Sequence, residues 1–388
     1  MRNLTLRYSA TQFTYWAASS GAASFATTYL LAKGISSGTV GILLASAGLL
    51  SCLTQPLLAS VADRAKRFAL IKMLLALSAL CCLCFCVQLI PWLPLVPTGI
   101  FYTVGVWSSD AMVPLLNALS VAYRQAGYPI NYGASRGIGS AATAISSLVL
   151  GFVIARFGTV WMILFLLVFR IACMIVMAGY PKIQKERINP QEAKESCSIP
   201  RFFSHYRWYC ASLLGILFLG MYHSMTENYL IAIVGALGGD SSHVGTALFI
   251  SAMVGAPVIF CFDQIRKHIC DTGLLKIAAV SFLIKAVLFS FAKDIAAIYL
   301  LQLLQTTSYA FLAPTQVYYA NAKVRSCDMV KGQAFITAAY ALGCSAGNFA
   351  GGQLLGHGVE AILSAGIFMA LIGTFAIFAT VNKSDFAE

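Results

Sequence analysis

The 388-residue chain is 59% hydrophobic and only 10% charged, with a mean hydropathy of +0.79, which excludes an ordinary soluble globular protein and leaves an integral membrane protein. Its formal net charge of +12 invites nucleic acid as a partner. All but a few of the basic residues, however, sit in short breaks between apolar stretches, so the excess reports topology and excludes that reading.

A bilayer core takes about 20 apolar residues per helix. The sequence divides into twelve such segments, 8–31, 39–60, 68–90, 94–122, 131–155, 159–180, 207–235, 242–264, 273–291, 295–320, 331–355 and 358–381. The first opens on Arg2 and Arg7 and then runs apolar with no small-residue cleavage site, which predicts a retained helix and not a signal peptide. Between the second and third lies VADRAKR, with Asp63, Arg64 and Arg67. The third carries CCLCFC (Cys81, Cys82, Cys84 and Cys86). These four point around the whole cylinder of one apolar helix without His or carboxylate, so they are apolar filling, and neither a metal nor a cofactor is expected.

Ionisable groups inside spans mark function, because each costs at least about 2.5–3.5 kcal/mol at the bilayer centre unless paired or hydrated. The fourth segment has Asp110 and Asn117 seven residues apart on one face, with Pro114 between them. The fifth, INYGASRGIGSAATAISSLVLGF, places Arg136, Ser140, Thr143 and Ser147 on one stripe. Two readings of Arg136 stay open on the residues alone. It lines a wet cavity, or it snorkels to an interface roughly 7.5 Å away. GASRG also fits the nucleophile-elbow pattern around Ser135, but that chemistry needs a strand-turn-helix setting that a membrane helix does not offer. Arg170 is central in the sixth segment, as ion-pair scaffold or as function.

Residues 181–206 form the longest polar break and predict a cytoplasmic linker between two halves, 1–180 and 207–388. The halves share punctuation: VGILLASAGLLSCLTQPLLASVADRAKR (40–67) parallels VGTALFISAMVGAPVIFCFDQIRKH (244–268). The expected fold is all-α, a polytopic membrane protein with twelve transmembrane helices in two pseudo-symmetric six-helix bundles. Basic breaks alternate with neutral ones, which places both termini in the cytoplasm. In the seventh segment His223 and Glu227 are four residues apart beside Asn228, a candidate proton site. The ninth carries Lys285, and the tenth a stripe of Gln302, Gln305 and Tyr309 suited to polar ligands.

The twelve-span plan, the central linker and QPLLASVADRAKR (55–67) resemble the major facilitator superfamily, and NYGASRG with YHSMTENY resembles its lactose-permease-like branch of oligosaccharide, nucleoside and phenylpropionate symporters. The resemblance implies alternating access, with Asp63, Arg64 and Arg67 gating the inner face and Arg136 binding substrate in a central cavity as counter-charge to substrate or Asp110. It implies a substrate site drawn from Arg136, Asn117, Asp110, Thr143, His223, Asn228, Gln302, Gln305 and Tyr309, and proton coupling through Glu227, Asp110 and Lys285. The sequence departs from that branch at Asn117, where a Glu is usual, at Ala252 and Thr143, and at Gln302, Gln305 and Ser308 in place of the ionisable coupling residues. The expected partners are a small polar solute, a proton and the lipid of the inner membrane, with the protein a monomer. A drug or metabolite exporter and an uncoupled facilitator are the rival functions, and an enzyme is not expected.

Overall fold

The computed structural model describes residues 4–64, 69–181, 199–325 and 328–383, and within these not the side chains of residues 59–64, 69, 125 and 330. Residues 182–198 of the expected linker, Arg67, and the side chains of Asp63 and Arg64 therefore lie outside the described residues. Every regular element described is helical. Lipid offers no partner for a bare peptide group, so each crossing must satisfy its backbone within itself.

Each expected span coincides with helix. The first span is α1 (Leu4–Ser24) and α2 (Ala26–Ala32), the second α3 (Ser37–Arg64), the third α4 (Ala69–Val87), and the fourth α5 (Leu95–Asp110) with α6 (Met112–Gln125). The fifth and sixth are α7 (Tyr132–Phe157) and α8 (Val160–Ala178). After a short α9 (Ile199–His205), the seventh comprises α10 (Arg207–Asn228) and α11 (Leu230–Ala236), and the eighth α12 (Ser241–Phe260) and α13 (Phe262–Arg266). The ninth is α14 (Asp271–Ser290). The tenth runs through α15 (Ile295–Leu301), a 3₁₀ turn (Gln302–Thr306) and α16 (Tyr309–Lys323), and α17 (Met329–Leu355) and α18 (Val359–Thr380) complete the twelve.

Five spans expected to be continuous are interrupted, and four of the interruptions repeat between the halves: the first and seventh break at Phe25 and Tyr229, the fourth and tenth at Ala111 and over 302–308, while the eighth breaks at Cys261. Proline chemistry explains the fourth. Pro114 has no N–H to give the carbonyl four residues before it, which is that of Asp110, and Gln55 Nε2 reaches this carbonyl at 3.4 Å instead. Among the described residues, nine of the spans contain a window long and apolar enough to cross a membrane by length and composition. The first, fourth and eleventh fall short because they are rich in Ser, Thr, Gly and Ala, and two of them supply most of the buried polar network described below.

The described chain groups into two compact units, Met1–Glu186 with Leu230–Met253, and Arg187–Tyr229 with Val254–Glu388. The first has a core of Tyr8, Tyr15, Leu74, Met112, Leu115 and Met177. α12 joins it by backbone contact: a Cβ on Gly245 would stand 2.8 Å from the Gly151 Cα of α7. The second unit is built on Phe202, Tyr209, Leu219, Leu275, Phe282 and Leu312.

Within the second unit α17 lies almost backbone to backbone on α10. Gly343, Gly347 and Gly351 recur every four residues, and an added Cβ would run into the Leu217 carbonyl, the Met221 carbonyl and, at 2.6 Å, the Tyr229 ring. Small residues at this spacing let helices approach where lipid supplies no hydrophobic drive. Gly347→Leu is therefore expected to destabilise the protein by about 1–3 kcal/mol through overpacking. Gly235→Ala, with nothing within 4 Å of its Cβ, leaves the melting midpoint unchanged. Thermal unfolding of the two variants side by side checks this.

Candidate functional site

Each unit buries polar side chains within its spans. In the first unit Arg136 leaves α7 just after its start, where Asn131 caps the helix by accepting from the Ala134 N–H. The guanidinium sits 4.2 Å from the centre of the Trp16 ring and donates to Ser140 Oγ at 3.3 Å. Ser140 is one turn deeper into the span, so Arg136 extends toward the membrane interior and not back toward the near interface. Trp16 can lie flat against α7 because residue 139 is Gly; a Cβ there would be 2.5 Å from Trp16 Cδ1. The indole is then fixed by a chain of hydrogen bonds: Trp16 Nε1 donates to Gln12 Oε1 at 2.8 Å, Gln12 Nε2 to Tyr8 Oη at 2.7 Å, and Tyr8 Oη to the Leu116 carbonyl at 3.1 Å.

Among the described residues Asp110 forms no ion pair with Arg136, contrary to one expectation from the sequence; its neighbour Ser109 accepts a hydrogen bond from Arg170 of α8. Asn117 is exposed, and its Oδ1 accepts from Tyr132 Oη at 3.1 Å. Thr143 turns its hydroxyl back to the Gly139 carbonyl at 3.2 Å. Ser147, the last residue of the stripe, is buried against Ser20 at 2.8 Å. Ser135 is likewise buried, its hydroxyl 2.8 Å from that of Ser9, in a helix and not an elbow.

In the second unit Lys285 of α14, 1% exposed, is the centre. Its Nζ donates to Glu227 Oε1 at 3.1 Å, Gln302 Oε1 at 2.9 Å and Gln305 Oε1 at 3.0 Å. Three protons meet three acceptors, which is the full capacity of an ammonium. The 3₁₀ turn makes this possible, since its three-residue period eclipses Gln302 and Gln305 on one face. Gln302 Nε2, also buried, has no hydrogen-bond partner.

Glu227 therefore pairs with Lys285 and not with His223, the partner its i, i+4 spacing suggested. His223 stacks on Tyr309, with ring centroids 4.9 Å apart and planes 3° from parallel, beside Phe282 and Tyr340. Asn228 bridges to the eleventh span, its Nδ2 donating to Asn348 Oδ1 at 2.6 Å. Trp16, Gln12, Tyr132, Tyr340 and Asn348 escaped the reading of the sequence. Three of them are aromatic and pass for apolar filling, and the Gln and Asn carry no charge to draw attention.

A multi-pass helical bundle with charges buried in its spans, several of those spans interrupted, and with related punctuation in its two halves, defines the class of secondary membrane transporters. Residues 5–365 match the MFS_1 like family, and the chain belongs to that family, within the major facilitator superfamily; it is a transporter and not an enzyme. A crystal structure of a mutant of the nucleoside transporter NupG superposes with a TM-score of 0.84 at 14% identity, over 98% of this chain and 100% of that one. The D-xylose-proton symporter superposes with a TM-score of 0.70 at 13% identity, over 96% of each chain. A bacterial homolog of the human lysosomal transporter Spinster, inward-facing and unoccupied, gives 0.69 at 12% identity over 97% and 96%. At such identities the likeness is one of fold. No curated protein matches the sequence.

Proposed function

We propose that the protein is a monomeric secondary transporter of the inner membrane, with both termini in the cytoplasm, that imports a small polar organic solute by alternating access coupled to protons. The observation that carries this reading is the ion pair of Lys285 and Glu227 inside a span, propped by Gln302 and Gln305 on an interrupted helix. Interrupted helices at such sites are where transporters bind ions and substrate. When Glu227 takes a proton its pairing with Lys285 weakens, but the two amide oxygens still hold the ammonium, so the proton can arrive and leave without stranding a buried cation. Lys285 thereby links the protonation of α10 to the 3₁₀ turn of the tenth span.

Arg136, presented by Trp16, is the group that meets the solute in the first unit. Asn117, Thr143 and Asp110 complete the site proposed in that unit. In the second unit Gln302 offers a free amide N–H, and the His223 and Tyr309 rings a flat face, with Gln305 and Asn228 fixing their surroundings. A solute with hydroxyl, carbonyl or carboxylate oxygens, such as a sugar, nucleoside or organic acid, suits these donors. The sequence halves 1–180 and 207–388 are the moving bodies, and Asp63, Arg64 and Arg67 gate the cytoplasmic face.

Uptake of labelled sugars, nucleosides and organic acids into energised vesicles tests this, with and without a protonophore. Accumulation of one class that collapses on adding the protonophore is the expected result. Equal uptake with and without it makes the protein an uncoupled facilitator, and extrusion from loaded vesicles makes it an exporter.

A further inference from the structure

Three helix ends meet on one face of the second unit: α10 begins there, and α16 and α18 finish there. Each brings a cation. Arg207 is the first residue of α10, Lys323 lies in the last turn of α16, and Lys383 follows α18. Trp208 gathers them. Lys383 Nζ lies 3.6 Å from the centre of its ring and Arg207 Cζ 5.5 Å, while Lys323 Nζ donates to the Lys383 carbonyl at 2.9 Å.

An indole face holds a cation but cancels none of its charge, and among the described residues neither Arg207 nor Lys383 forms an ion pair. The two lysines suit the negative ends of the helices that they close. Arg207 does not: in the first turn of a 22-residue helix it meets the positive end of the macrodipole. Three like charges drawn together, one of them at the wrong end of its helix, call for an anion. What surrounds them says which kind. Trp is a residue of the bilayer interface, the level of the lipid headgroups. Seven residues beyond Arg207, and so on the same face of α10, Leu214 is 56% exposed within the span. A free phosphate has no use for that apolar surface, whereas a phospholipid covers it with its acyl chains.

We propose that Arg207, Trp208, Lys323 and Lys383 form a binding site for an anionic phospholipid. Arg207 offers its planar fork to two oxygens of the headgroup phosphate and the lysines supply point charges. The indole sets the depth of the headgroup, and the acyl chains run along α10 past Leu214. A lipid seated there ties the start of α10 to the ends of α16 and α18. The site does not depend on which solute the protein carries, nor on proton coupling.

The test is native mass spectrometry of the full chain in neutral detergent, titrated with phosphatidylglycerol, with phosphatidylcholine as its net-neutral counterpart, and with inorganic phosphate as competitor. Arg207→Gln/Lys383→Gln is expected to raise the Kd of the tightest phosphatidylglycerol about 30-fold, and either substitution alone about fivefold. Phosphatidylcholine binds equally to all, which also shows that the variants are folded. Arg156→Gln, which removes an exposed cation from the last turn of α7, changes neither lipid. The proposal is overturned if the double variant binds phosphatidylglycerol within about twofold of the unaltered protein, or if Arg156→Gln weakens it as much. Displacement of the lipid by millimolar inorganic phosphate overturns it too, by making the ligand a free anion. Asp385→Asn/Glu388→Gln is expected to bind as the unaltered protein does; binding tighter by about fivefold or more would make the chain's own carboxylates the occupant of the site and overturn the proposal.

Discussion

Lys285→Met is expected to cost about 3–5 kcal/mol of stability, the range for removing one partner of a buried ion pair, and to abolish concentrative uptake. The size follows from what the substitution leaves behind. Glu227 keeps its charge with no cation in contact, and the Gln302 and Gln305 amide oxygens, both within 3.0 Å of the lost ammonium, each lose their donor. Because the Glu227 side chain is 15% exposed, water recovers part of the loss, and the lower end of the range is the one to expect. Glu227→Gln is milder, since Lys285 then still faces three neutral acceptors. The double variant Lys285→Met/Glu227→Gln removes both charges and regains most of the stability, but it has nothing left to titrate, so uptake stays uncoupled. Melting midpoints of the purified variants, read beside vesicle uptake, separate the two effects. A single Lys285→Met variant that melts within about 1 kcal/mol of the parent would mean that the ammonium is not held as described.

The spans were legible because a bilayer allows the chain one solution, a helix of fixed length, and twelve apolar runs of that length leave little to choose. The breaks within spans were not, apart from the hint of Pro114. Phe25 and Tyr229 interrupt their helices without any Gly or Pro to announce it, both fully buried. Charge singled out the candidate residues: Arg136, Asp110, Glu227, Lys285 and Arg170 are all buried or half-buried. Their pairing was beyond reach of the sequence, because it is set by which helices pack together. His223 is Glu227's neighbour along α10, whereas Lys285 reaches it from α14. Arg170 reaches Ser109, the neighbour of Asp110, from α8, while α1 brings Trp16, a residue with no charge, to Arg136. The spacing of Gln302 and Gln305 is common to an α-helix and a 3₁₀ turn, so it disclosed their shared face but not the backbone that makes it.

Arg136→Ala is expected to reduce uptake by roughly 30-fold to 1000-fold, equivalent to about 2–4 kcal/mol of lost interaction with a polar ligand, while membrane expression and melting stay near the parent. The two readouts diverge because of how the guanidinium is held. It has a half-buried aromatic face and one long hydrogen bond to Ser140, and no carboxylate among the described residues balances it, so its removal strands no opposite charge. The lost cation–π contact is worth about 0.5–1 kcal/mol at a site open to water. Arg136→Lys keeps the charge but not the planar fork that lies along the indole and binds two oxygens at once, and so restores little. Trp16→Leu keeps the guanidinium but frees it to wander, and its loss falls between those of the parent and Arg136→Ala, chiefly in KM. The decisive comparison is uptake normalised to surface protein for the three variants. If Arg136→Ala transports within about threefold of the parent, then Arg136 and Trp16 form a helix-packing contact between α1 and α7, and the solute is recognised elsewhere.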